Sequence, residues 1–70
     1  MKDVIDRLYA SEINWEVSTF WDAGYEVKLG DHMNGYVAEA NIALWSDVVD
    51  WLDRQARVHY PNSTYAKVAA

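Results

Sequence analysis

Residues Ile13 to Trp21 form an alternating run of apolar and polar side chains, and Tyr25 to Leu29 form a second one after Asp22-Ala23-Gly24. A period of two sends successive side chains to opposite faces of a strand, so each run reads as a strand with one buried face. A three-residue connection ending in glycine suits a hairpin whose last loop residue takes φ > 0. Gly30-Asp31-His32-Met33-Asn34-Gly35 reads as a loop bounded by two glycines, and Tyr36 to Asn41 or Ile42 as a third strand.

A three-residue first loop pairs Trp21 with Tyr25, Thr19 with Val27 and Val17 with Leu29. Pairing Leu29 with Tyr36 across the second loop sets Val27 against Ala38 and Tyr25 against Ala40. All of these residues then share one apolar face with Ile13 and Trp15. The other face carries Asn14, Glu16, Ser18, Phe20, Glu26, Lys28, Val37, Glu39 and Asn41. One apolar and one polar face is the pattern of an antiparallel meander with helices on one side.

Asp3 to Ala10 reads as a short helix with Val4, Ile5, Leu8 and Tyr9 as its apolar stripe, Asp3 and Asp6 near its start and Ser11 at its end. Ser46 is expected to cap a second helix with Asp47 in its first turn, although a start as early as Ile42 also fits. Val48, Val49, Leu52, Gln55, Ala56 and His59 share one face of it. Trp51 and Val58 flank that face, and Trp45 and Trp51 are assigned to the helix core. Asp50–Arg54 and Asp53–Arg57 have the spacing of helical ion pairs. Pro61 stops the helix near Tyr60. Two readings of Asn62 to Ala70 stand: one further turn capped by Ser63, through Tyr65 and Val68, or a frayed tail. The expected fold class is α+β, in the order α-β-β-β-α, a three-stranded antiparallel meander covered on one face by two helices. Residues 1–61 form the single domain and 62–70 the C-terminal tail.

With 70 residues, the chain is one domain that buries only about 60% of its unfolded surface. Four Trp, five Tyr and one Phe offset this, because each buried aromatic removes roughly 150–250 Å² from water. Cysteine is absent, which excludes disulfides, thiolate zinc sites and a cysteine nucleophile and fits a reducing cytoplasm. No secretory signal or membrane-length apolar run is expected. Eleven acidic against six basic residues leave a net charge of −5, with the basic residues scattered, which disfavours nucleic acid as a partner.

The candidate chemistry is sparse. His32 beside Asp31 suggests a metal ligand or general base, but a metal needs three or four convergent ligands, and an exposed turn histidine accounts for it. His59 reads as a boundary residue at a helix end. Glu26 and Glu39 are near-neighbours on the polar face in the register above, where an open sheet offers no pocket to separate their pKa values. No nucleophile elbow or phosphate loop occurs, and the Asp31–Gly35 loop lacks the ligand pattern of a calcium loop. No catalytic residue, cofactor or metal site is expected. Phe20 and Val37, apolar on the polar face, together with Glu26, Lys28 and Glu39, make the candidate interaction surface.

In topology, the order helix, three-stranded meander, helix resembles double-stranded-RNA-binding domains. That resemblance implies a basic helix end gripping phosphates, where this second helix opens Ser46-Asp47-Val48-Val49-Asp50. Gly35-Tyr36-Val37-Ala38-Glu39-Ala40 followed by a helix also resembles part of HicB-type antitoxins, without the DNA-binding segment. The expectation is therefore a small cytoplasmic interaction or regulatory module without catalysis. Its partner is another protein or a second copy of itself, and neither a membrane nor nucleic acid.

Overall fold

A computed structural model describes residues 2–68, without the side chains of Lys2, Asp3 and Val68. The expected roles of Asp3 and Val68, and the end of the tail at Ala69–Ala70, lie outside the described residues. The elements are α1 (Lys2–Ala10), β1 (Trp15–Phe20), β2 (Gly24–Asp31), β3 (Gly35–Ile42), α2 (Trp45–His59) and α3 (Thr64–Val68). The strands form one antiparallel sheet in the order β1-β2-β3. α2 lies over β2 and β3, and α1 and α3 pack against α2 and each other. The α+β meander with helices against one face is the architecture expected from the alternation.

The register differs from the expected one by two residues at both hairpins. Val17 opposes Val27 and Trp15 opposes Leu29, while Ala40 opposes Val27 and Ala38 opposes Leu29. A slip of two preserves which face each side chain occupies, so Val27 and Leu29 are still fully buried. The physical reason for the shift is visible on the other face. Lys28 now lies opposite Glu16 on one side and Glu39 on the other. In the expected register Glu26 would have opposed Glu39, and like charges directly opposite are destabilising.

The first turn is Trp21-Asp22-Ala23, closed by the Ala23 N–H donating to Phe20 O at 3.0 Å. Gly24 already belongs to β2, with φ 89°. Trp21, expected inside, is therefore on the turn and 98% exposed. The second loop shrinks to His32–Asn34, because both of its glycines join strands. A bulge falls where the pairing steps from Leu29–Ala38 to Gly30–Tyr36, leaving Val37 as the extra residue. One extra residue inverts the alternation beyond it. Tyr36, expected on the apolar face, accordingly reaches the open face, where its hydroxyl donates to Glu16 Oε2 at 2.6 Å.

The core joins Val4 and Leu8 of α1, Ile13 of the link before β1, which starts at Trp15 and not at Ile13 as expected, Val27 and Leu29 of β2, Val48, Val49, Leu52 and Ala56 of α2, and Tyr65 of α3. Trp15, Val17, Tyr25 and Trp51 pack at its margin, half-buried. Tyr9 departs from the expected α1 stripe and stands exposed, being the one of the four stripe residues furthest round the helix from Val4 and Leu8. The N-cap of α2 is Leu44, with no side-chain cap bond. Ser46 thus sits within the first turn rather than at its boundary. Ser63 does cap: its Oγ accepts from the Ala66 N–H at 3.2 Å and donates to Tyr60 O at 2.7 Å. The α3 helix that follows places Tyr65 in the core.

Candidate functional site

The uncovered sheet face is built from cross-strand rows. Glu16, Lys28 and Glu39 form one row, and Ser18, Glu26 and Asn41 the next. The Lys28 ammonium also lies 5.0 Å from the centre of the Tyr36 ring, a cation–π arrangement. The hydrogen bond to Glu16 pushes the Tyr36 hydroxyl up to about 12, so it stays protonated at neutral pH and acts as a fixed donor. Lys28 thus stands across from a glutamate on each neighbouring strand and over one aromatic face.

Of the residues proposed as an interaction surface, Phe20 and Glu26 line one shallow depression with Ala23, Tyr25 and Asn41, and Val37 lies apart from them. Lys28 and Glu39 oppose each other, and Glu26 lies one row on. Phe20 lies at the hairpin end, opposite Gly24, and Val37 sits in the bulge near the other end of β2. At about 3.3 Å per residue, the six steps from Gly24 to Gly30 put these two apolar residues roughly 20 Å apart.

Phe20 also belongs to an apolar end of the sheet that the alternation did not reveal. Phe20 and Trp21, with Thr19, Gly24, Tyr25 and Ala43, line a shallow depression at the hairpin end. The Tyr25 ring packs edge-on against Trp45, with centroids 5.5 Å apart. Beside them Leu44 is 61% exposed and Trp45, expected in the core, is 42% exposed. The chain leaves β3 at Ile42 and enters α2 at Trp45, with Leu44 as the N-cap of the helix. The signal in the sequence was turn position: a tryptophan just before Asp-Ala-Gly is on the tip unless the loop is exactly the three residues after it.

The loop at the opposite end is organised around Asp31. Its Oδ1 accepts from the Met33 and Asn34 N–H groups at 2.9 and 2.7 Å, and its Oδ2 from the Asn14 and Asn34 amides at 2.8 and 3.3 Å. The Asn34 backbone bond, then the Asn14 amide, hold the carboxyl down to about 2. With its oxygens committed to four donors, Asp31 is an Asx-turn anchor, and His32 beside it is exposed. A depressed folded pKa contributes stability that is complete above the ordinary value of 3.8 and is lost as pH falls toward about 2. Acid unfolding followed by tryptophan fluorescence is expected to show this slope in the natural chain. Asp31→Asn should be less stable at neutral pH and lack that part of the slope.

His59 is exposed on α2 with its Nε2 3.2 Å from Gln55 Oε1. Among the described residues, no group of three or more His, Cys, Asp or Glu is placed to hold a metal ion. No helix among them is long and apolar enough to cross a membrane. Comparison with protein-family models, with curated proteins and with solved structures finds no match for the chain.

Proposed function

We propose that this chain is a small non-catalytic protein-interaction or regulatory module, and that it makes contact through the aromatic end of its sheet. One observation carries the reading. Trp21 stands almost wholly in water beside Phe20, with Leu44 and Trp45 also exposed at that end. Tryptophan is among the residues that dominate interface energies when a partner desolvates them, and clustered exposed apolar surface marks contact sites. The cysteine-free composition suits a reducing cytoplasm. Duplex binding is disfavoured by Asp47 and Asp50 at the start of α2, where phosphates would have to sit.

A photo-crosslinking side chain introduced at Trp21 tests this in cells, with the same group at exposed Asp50 as the comparison. Discrete protein adducts are expected at Trp21 and not at Asp50. Equal, diffuse labelling at the two positions would end the reading.

A further inference from the structure

We propose that β1 pairs antiparallel with β1 of a second copy of this chain, joining two three-stranded sheets into one; this rests on the interaction-module reading and names its partner. The two sheet edges are unequal. β3 carries the bulge at Val37 and the charge of Glu39, both of which blunt an edge. β1 reads Trp-Glu-Val-Ser-Thr-Phe, with no lysine, proline or bulge and mostly strand-favouring residues.

The hydrogen-bonding groups of this edge can be assigned. The Gly30 N–H donates to Asn14 O at 2.8 Å, and exchange pairs alternate along an antiparallel ladder. Glu16 and Ser18 therefore bond β2, while the N–H and C=O groups of Trp15, Val17 and Thr19 point outward. The side chains agree. α2 covers β2 and β3, so Trp15 and Val17 are only half-buried and Thr19 is exposed.

Self-pairing also fits the charges. Glu16 is the single charged residue of β1, and its carboxylate is held by Tyr36 of β3, drawn back across its own sheet and away from the edge. A two-fold register centred on Ser18 sets Val17 against Thr19 of the second copy, so outward groups meet outward groups. It sets Glu16 against Phe20 rather than against its own copy, and brings Trp15 to the end of the second β1, next to the turn that carries the exposed Trp21.

Sedimentation equilibrium of the full chain to about 1 mM, with amide exchange by NMR, tests the pairing. Dimers are expected, with concentration-dependent protection of the Trp15, Val17 and Thr19 amides. Because each copy carries −5, association should tighten as salt screens the repulsion; a basic partner would show the reverse. Thr19→Pro removes an outward donor and should give monomers. Asn41→Pro, the equivalent change on the β3 edge, should leave the dimer intact. Thr19→Lys decides the matter if the proline variant loses its circular-dichroism signal. Monomers throughout, or a dimer that survives both Thr19 variants or fails with Asn41→Pro, would overturn the proposal. If the chain is monomeric and Trp21 crosslinks a different protein, only the second-copy pairing fails. Monomers together with no Trp21 adduct end both readings.

Discussion

Tyr65→Ala is expected to leave the domain unfolded or nearly so at 25 °C. Tyr65 is 1% exposed and ties three helices together. Its ring lies 4.3 Å from the Arg7 guanidinium of α1 and 5.6 Å from that of Arg57 on α2. Its hydroxyl donates to Asp53 Oδ1 at 2.5 Å, and Asp53 is also held by Arg57 Nη2 at 3.1 Å. Burial, and then this hydrogen bond, push the Tyr65 hydroxyl up to about 12. Burial alone would raise the Asp53 carboxyl, yet the bonds from Tyr65 and Arg57 hold it below its ordinary value. Emptying a buried aromatic site costs about 3–5 kcal/mol, comparable with the whole stability of a domain this small. Tyr65→Phe, which keeps the ring and loses the bond to a charged acceptor, should cost about 1.5–3 kcal/mol. Urea unfolding monitored by circular dichroism measures both. An alanine variant within 1 kcal/mol of the natural chain would mean that α3 does not dock.

Gly30→Ala is expected to cost about 3 kcal/mol or more, from backbone strain plus overpacking. Gly30 has φ 112°, and a Cβ there would sit 2.5 Å from Gly35 O and 3.0 Å from Tyr36 Cα. The obstacle is backbone of the neighbouring strand, so no side-chain rotation relieves it. Gly35, at φ 96°, has open space where its Cβ would be. Gly35→Ala should therefore show only the conformational penalty, roughly 1–2 kcal/mol. Thermal melts of the two variants provide the comparison, and equal losses would contradict the bulge geometry.

Alternation reveals faces but not register. Val17, Val27 and Ala38 or Ala40 are inward in any pairing that slips by two, so periodicity alone could not choose. The choice lay in Lys28, whose only arrangement between two opposite charges is the observed one, and the sequence carries that information in the spacing of Glu16, Lys28 and Glu39. The bulge was less legible, because Gly30 reads equally well as a loop boundary. Missing it placed Tyr36 on the wrong face. The apolar end of the sheet was hidden for a related reason: once the turn moves back to Trp21, a residue counted as core becomes the tip. The α3 helix was visible through Ser63, but the burial of Tyr65 depends on Arg7 and Asp53, distant in sequence and brought together only by packing.

The meander joins each strand to the next by a short turn, so the sheet and α2 can assemble through neighbouring segments with little loop-closure cost. Tyr65 must meet Arg7 from the far side of the sequence. Docking of α1 and α3 is therefore expected to come last during folding and to reverse first, as a partial opening below the global unfolding free energy. The kinetic signature is that Tyr65→Phe accelerates unfolding and leaves the refolding rate nearly unchanged.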